Sequence, residues 1–338
     1  MGLYVGIDLH SSNNVVSVQD DRERVLAEKR LPNDLLTVLA WLKPYRDSIA
    51  GIVVESTYNW YWLVDGLRDA GYQVHLANTA AIQQYEGLKY ADDKSDARWL
   101  AKLLRLGQLP EGHIYPKEER PVRDLVRKRR HLVRHCTSHI LSIENLVARN
   151  TGQRISCNRV KRLTDEEVEA LLGESELGLS VNSSLAVMRC LQEQIALIEK
   201  IVKKRVRLRQ EFRGLLTVRG IGSVLALTIM LETGDIRRFE SVGNYVSYCR
   251  CVKSVWLSNG KKKGAGNAKN GNKYLAWAFV EAANFAIRFN ERVRRFYQRK
   301  SAKSTRVVAL KATAHKLARA CYYIMRDGVP FDVKRAFG

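Results

Sequence analysis

The sequence predicts an α/β domain at its N-terminal end followed by a mainly α-helical remainder, and three observations carry that expectation. Up to about residue 115, short continuous apolar runs bounded by turn residues alternate with segments of helical period, the pattern of a sheet with helices packed on it. From Glu118 onward two long segments with apolar residues three and four apart take over. Beyond residue 212, glycine-punctuated turns separate shorter apolar helices.

The first strand is Leu3-Tyr4-Val5-Gly6-Ile7-Asp8-Leu9-His10, an apolar run closed by the turn-forming Ser11-Ser12-Asn13-Asn14. An aspartate in so apolar a segment is costly to bury unless something neutralises it. A divalent cation shared with other carboxylates is one answer, and a turn-forming or helix-capping role is the other. Val15 to Gln19 and Val25 to Arg30 follow as two more strands about Asp20-Asp21, an antiparallel meander. Pro32-Asn33-Asp34 then opens a helix carrying Leu35, Val38, Leu39 and Leu42. Ala50 to Val54 is a fourth strand ending on Glu55; a helix through Trp62, Leu63 and Leu67 stops at Gly71, and Tyr72 to Leu76 is a fifth strand. Lys89 to Asp92 enters a helix on which Asp93 and Asp96, three apart, point the same way; Asp92 with Asp96 serves nearly as well.

An acid at the end of the first strand, another at the end of the fourth and a pair on the helix after the fifth is the arrangement of the ribonuclease H-like (RuvC-like) nucleases. In that fold the first and fourth strands are neighbours, so Asp8 and Glu55 meet, and the later helix brings Asp93 and Asp96 over them. Hard oxygen ligands converging on one point suit Mg²⁺. The ATPase fold of actin and sugar kinases also opens on an Ile-Asp strand, but it needs glycine two places after the aspartate, where this chain has His10.

The bulk numbers narrow the partners. At 338 residues and 46% hydrophobic content the chain is not mainly disordered. Its 57 Lys+Arg against 35 Asp+Glu give a net charge of +22, which favours a polyanion, and nucleic acid first. No apolar run approaches the ~20 residues of a membrane span. Without a basic stretch followed by an apolar signal segment, the expectation is a cytoplasmic protein. Its six scattered cysteines are accordingly expected to be reduced thiols.

From Glu118 to about Asn150 a basic helix carries Arg127, Lys128, Arg129, Arg130 and Arg134 beside Val122, Leu125 and Leu132. His131, His135 and His139 recur every four residues on it, a possible ligand spacing, but among so many arginines they read as part of a polyanion-facing stripe. Thr164-Asp165-Glu166-Glu167 starts a short helix as a capping box. A second long helix is expected from about Ser184 to Arg213; Met188, Leu191, Ile195, Ile198 and Val202 have coiled-coil spacing until Lys203-Lys204-Arg205 interrupts. The pair reads as a nucleic-acid-contacting hairpin able to dimerise. Leu215 to Ala226, turning at Gly220 and Gly222, resembles a helix-hairpin-helix element that offers backbone N–H groups to phosphate. Ser254 to Leu275, rich in glycine, asparagine and lysine, reads as a flexible cationic loop in which Lys261, Lys262, Lys263, Lys269 and Lys273 could follow a nucleic-acid backbone. A hydroxyl there can attack phosphorus, but no histidine is near in sequence to activate it, and from the residues alone Ser258 reads as a loop serine.

Taken together, these motifs resemble the insertion-sequence transposases of the one-ten family, DEDD recombinases guided by a bridge RNA. Val5-Gly6-Ile7-Asp8, Val54-Glu55-Ser56 and Asp93-Lys94-Ser95-Asp96-Ala97 resemble the family's RuvC-like domain. Val218-Arg219-Gly220-Ile221-Gly222, Gly234-Asp235-Ile236-Arg237-Arg238-Phe239, Ser258-Asn259-Gly260 and Lys269-Asn270-Gly271-Asn272-Lys273-Tyr274-Leu275 resemble its C-terminal transposase domain. The division so implied is 1–115 for the RuvC-like domain, 116–212 for the long basic helices and 213–338 for the transposase domain. The resemblance implies Asp8, Glu55, Asp93 and Asp96 as Mg²⁺ ligands and Ser258 as the nucleophile of a covalent phosphoserine link to DNA. Two departures stand out: Asn259 follows the serine where members have glycine, with Ser254 nearby as an alternative, and Arg219 replaces the usual proline before Gly220. The implied partners are a bridge RNA, target and donor DNA, and further copies of the chain. Those copies form a dimer, and a tetramer in the synaptic complex, whose protomers share active sites through coiled-coil contacts. Sequence choice falls to RNA pairing. The competing reading is a Mg²⁺-dependent Holliday-junction-type nuclease without a covalent intermediate.

Overall fold

The computed structural model describes residues 2–82, 92–173, 176–264 and 270–338. By contacts the chain forms two compact units, residues 1–117 with 254–270 and residues 118–253 with 271–338.

The first unit is built on a five-stranded sheet. Strands β1 (Leu3–Leu9), β2 (Asn13–Gln19), β3 (Val25–Pro32), β4 (Ile49–Glu55) and β5 (Val74–Ala77) lie in the order β3-β2-β1-β4-β5. β1 to β3 form the expected antiparallel meander, while β4 and β5 add on in parallel, as their helical crossovers require. Helices α1 (Leu35–Leu42) and α2 (Tyr61–Asp69) supply those crossovers. Val5, Ile7, Leu9, Ile52 and Val54 are fully buried, each contributing roughly 1.5–3 kcal/mol by leaving water. This is the mixed α/β sheet expected of a ribonuclease H-like domain.

Helix α3 (Asp93–Arg105) packs on β1, β2 and β4. Its start is fixed by a capping box in which the Ser95 N–H donates to Asp92 Oδ1 at 2.8 Å and the Asp92 N–H to Ser95 Oγ at 3.3 Å. Its basic residues tie it to the meander: Arg98 makes two 2.8 Å bonds to Glu28, and Lys102 and Arg105 hold Glu23. Gly6 allows the helix to come this close, because a Cβ there would stand 1.9 Å from the Ala97 carbonyl oxygen.

The first unit also holds a hairpin of β6 (Trp256–Ser258) and β7 (Lys261–Gly264). The sequence led us to expect a flexible loop here. Asn259 and Gly260 instead sit at φ 48° and 71°, the two left-handed positions of a tight hairpin turn, which Asn-Gly favours. The residue that departs from the family pattern is thus the first turn residue.

In the second unit, α4 (Arg120–Thr151) and α7 (Glu176–Val206) pair as a long antiparallel hairpin. Short helices α5 (Cys157–Val160) and α6 (Asp165–Leu172) connect them, α6 starting at the expected Thr164 capping box. At the far end Ile143, Val147, Val181 and Leu185 form one core; at the near end Val122, Val126, Ile198 and Val202 join the core of the C-terminal helices. The second long helix therefore runs earlier than the expected 184–213. Val181 and Leu185 gain burial that outweighs the poor helix propensity of Gly178 and its serine-rich neighbours. At the other end the chain leaves the helix after a run of like charges, and Arg209 turns to Glu119. Met188, Ile198 and Val202, part of the expected coiled-coil seam, are buried against α4 of the same chain.

Helices α8 (Gln210–Leu216), α9 (Ser223–Thr233), α10 (Val242–Tyr248), α11 (Lys273–Phe289), α12 (Glu291–Ser301), α13 (Arg306–Asp327) and α14 (Val333–Phe337) complete the unit. In the turn between α8 and α9, Gly220 has φ 113° and lies against α11, where a Cβ would meet Ala286 N at 2.6 Å; Gly222 faces open space. All six cysteines are unpaired. Among the described residues no helix is long and apolar enough to cross a membrane.

Candidate active site

β1 and β4 run parallel with Ile7 opposite Val54, so the next residue of each, Asp8 and Glu55, stands side by side near the strand ends. Asp8 is buried, its side chain 6% exposed. Burial pushes the Glu55 carboxyl up to about 8, reinforced by its hydrogen bond with Asp8 and by the charges of Asp8 and Asp96. Asp96 enters the site from the first turn of α3. On the other side of Asp8, His10 Nε2 lies 3.1 Å from Asp8 Oδ2 and 3.3 Å from Asp93 Oδ2. The Arg30 guanidinium, with help from His10, holds Asp93 below the usual carboxylate range.

The acids expected at strand ends and on the later helix therefore come together. Asp92 does a different job. Its carboxylate caps α3 through Ser95, which leaves Asp93 as the residue facing His10.

Crowded carboxylates with a neighbour that retains its proton are the signature of a site short of positive charge. Two buried atoms, Asp8 Oδ2 and His10 Nε2, have no partner in hydrogen-bonding geometry despite lying 3.1 Å apart. Asp8, His10 and Asp93 each offer a ligand atom within 4.8 Å of the others, the one such cluster among the described residues. The donor set fits a divalent cation.

His10 and Arg30 were missed as site residues in the sequence. Side chains two apart on a strand share a face, so Asp8-Leu9-His10 already placed the imidazole beside the aspartate. Arg30, at the end of β3, gave no comparable signal.

Ser258 ends β6 and is exposed, paired in register with Lys261; Ser254 is exposed just before the strand. Lys261, Lys262 and Lys263 line β7 with exposed side chains, and Lys273 is exposed at the start of α11. Lys269 lies outside the described residues.

The basic stripe of α4 divides in two. Arg127 forms a two-pronged pair with the buried Glu232 at 2.6 and 2.8 Å, Arg129 bonds Glu199 of α7, and Arg130 lies over the rings of Trp277 and Tyr274. Those three guanidinia are engaged inside the unit. Lys128 and Arg134 are exposed. His131 and His135 face each other with Nε2 atoms 2.7 Å apart, and burial together with His135 holds His131 below its usual range.

Comparison with known proteins agrees with this geometry. A DEDD-type family model described as "Transposase" matches residues 5–150, and a second, described as "Transposase IS116/IS110/IS902 family", matches residues 213–298. A Sinorhizobium fredii protein, "Putative transposase y4qE", is 25% identical over 266 residues, covering 77% of this chain and 65% of its own length. The chain thus spans a little under two thirds of that relative.

The sheet, the acids at its strand ends and these matches define a DEDD transposase by class. The chain belongs to the IS110 family of those transposases.

Proposed function

We propose that the chain is the RNA-guided, site-specific DNA recombinase of an insertion sequence, cleaving and rejoining strands through a phosphoserine at Ser258 while Asp8, Glu55, Asp93 and Asp96 hold Mg²⁺. The observation that carries this reading is the convergence of separate acids on Asp8, with Glu55 pushed up to about 8 by burial and by its acidic neighbours. When bound, the divalent ion supplies charge neutralisation at the phosphoryl oxygens and a lower barrier for the attacking hydroxyl.

The protein's own groups do the rest. Ser258 Oγ attacks phosphorus, forming a serine–phosphate ester as the bond to the leaving sugar oxygen breaks. The hydroxyl proton passes to solvent and the sugar oxygen takes one up. Attack by another strand's sugar hydroxyl reverses the sequence and restores a phosphodiester, so no nucleotide cofactor is consumed. Lys261, Lys262, Lys263 and Lys273, with Lys128 and Arg134, hold backbones, and the Gly220–Gly222 turn presents N–H groups to phosphate. Exposed Ser258 beside a lysine strand supports its role as nucleophile over Ser254. The net charge of +22 supports binding both a bridge RNA and target and donor DNA.

Assembly follows as a dimer, and a tetramer around the synapsed DNA, in the cytoplasm near the nucleoid. Support comes from the face of α7 turned away from α4, where Val187, Leu197 and Ile201 fall at heptad positions and are 46%, 49% and 49% exposed. The functional division remains 1–115, 116–212 and 213–338.

The test is Ser258→Ala. Denaturant-resistant protein–DNA adducts are expected to vanish while RNA binding persists, and an adduct formed by that variant overturns the nucleophile assignment. The second reading, a Mg²⁺-dependent junction nuclease, needs only the acids gathered about Asp8 and no serine. It predicts free nicks and full tolerance of Ser258→Ala.

A further inference from the structure

The DEDD reading assigns only carboxylates to the ion, yet the side chain that touches both Asp8 and Asp93 is an imidazole. His10 Nε2 is buried, stands 3.1 Å from Asp8 Oδ2 and 3.3 Å from Asp93 Oδ2, and hydrogen-bonds neither. Asp8 Oδ2 lacks a hydrogen-bond partner as well, on a side chain more than nine-tenths buried. Two orphaned atoms that can each offer a lone pair, with the Asp93 carboxylate beside them, are what a coordination site looks like before its ion is in place.

The backbone keeps the ring there. The His10 carbonyl accepts 3.0 Å hydrogen bonds from the amides of both Asn33 and Asn59, and its N–H donates to Asn13 O at 2.9 Å. Asn14 in turn bonds Pro32 O and Asn33 Oδ1, so the turn after β1 is locked from several sides. Two amide side chains on one carbonyl, and a third bracing one of them, hold the imidazole in place more firmly than a solvated surface histidine requires.

We infer that His10 is itself a metal ligand, and that Asp8, His10 and Asp93 form a nitrogen-bearing site that takes a first-row transition ion in preference to Mg²⁺. This rests on the metal-dependent reading above and refines it: Asp8, Glu55 and Asp96 remain an all-oxygen set suited to Mg²⁺, while the ion beside His10 meets a ligand for which Mg²⁺ has little affinity. Arg30, which holds Asp93 in this structure, gives up that carboxylate oxygen as the ion arrives.

The test uses the full chain and Mn²⁺. Electron spin-echo modulation of the frozen Mn²⁺ protein is expected to show imidazole ¹⁴N coupling that shifts on labelling histidine with ¹⁵N. In His10→Gln the coupling disappears and Mn²⁺ affinity falls by about tenfold or more, since even groups one step removed from an ion are worth ~10–100-fold. Mg²⁺ affinity changes by less than about twofold, the oxygen ligands being untouched. Bound Mn²⁺ without nitrogen coupling in the unaltered protein overturns the assignment of His10 while leaving the carboxylate site standing. Coupling that persists in His10→Gln also overturns it, by pointing to another histidine. An unaltered protein that binds no Mn²⁺ removes both the His10 site and the acidic site it rests on.

Discussion

Asp8 in the first compact unit and Glu232 in the second are both buried carboxylates, and these two are treated in opposite ways. Glu232, in the second unit, is 2% exposed and fully answered: Arg127 grips both oxygens and Asn272 Nδ2 donates at 2.8 Å. Burial alone would weaken the Arg127 charge, but the hydrogen bonds and attraction of Glu232 outweigh it and raise its pKa. Asp8, in the first unit, is nearly as buried, and it shares its site with a second carboxyl, that of Glu55. The first arrangement is closed and structural. The second is an open electrostatic demand, the kind of surrounding that a cation would answer.

Converting each acid to its amide breaks the comparison most directly, because the two sites should answer with opposite signs. Asp8→Asn is expected to lower strand cleavage by on the order of 10³-fold, the several kcal/mol that a bound metal ion contributes. The metal-free variant should nevertheless melt no lower than the unaltered protein, since one source of repulsion on Glu55 is gone. A fall in both activity and melting temperature would make Asp8 structural. Glu232→Gln, or Arg127→Ala, should instead destabilise the second unit by about 3–5 kcal/mol, the usual penalty for leaving one half of a buried ion pair alone. Chemical denaturation measures this, and a loss under about 1 kcal/mol would mean the pair is solvated.

This contrast explains which parts of the molecule were legible in the sequence. Asp8, Glu55 and the Asp93/Asp96 pair could be read because strand ends and helix spacing fix where such side chains point, and the sheet order then brings them together. Arg127, Arg129 and Arg130 could not be told from Lys128 and Arg134. Whether a basic residue on a helix meets solvent or a buried acid depends on partners such as Glu232, more than a hundred residues away. The start of α7 was missed for a related reason, since Val181 and Leu185 are held helical by contacts with α4 that no local propensity encodes. The Asn259-Gly260 turn was readable in principle and was obscured by the lysine and glycine around it.

Gly6→Ala sharpens the comparison at the level of packing. The added methyl would stand 1.9 Å from the Ala97 carbonyl oxygen and 2.9 Å from Ala101 N, both backbone atoms of α3, so the helix must shift. Overpacking of this kind costs about 1–3 kcal/mol. Activity should fall further than stability alone explains, because Asp93 and Asp96 ride on the displaced helix. Equal losses of activity and folded fraction at every temperature would uncouple α3 from the site.

The smallest expected effect is a pH dependence that belongs to the first unit alone. Glu55 is raised from an ordinary value of 4.5 to about 8, so between those limits the folded metal-free protein binds a proton that the unfolded chain has released. Its contribution to stability is therefore fully present below about pH 4.5 and is lost as pH climbs towards 8. Glu55→Gln removes the titration. The variant should be more stable than the unaltered protein at pH 8, by on the order of 1 kcal/mol once solvent screening of a partly exposed group is allowed for, and indistinguishable from it near pH 4. A divalent cation competes with that proton, so its apparent affinity for the unaltered protein should rise across the same interval. Thermal melts of both proteins from pH 4 to 8, with and without the ion, measure the two slopes together. Parallel melting curves for the two proteins would show that Glu55 is ionised in the folded state without help, and that the acids of the first unit are as well compensated as Glu232.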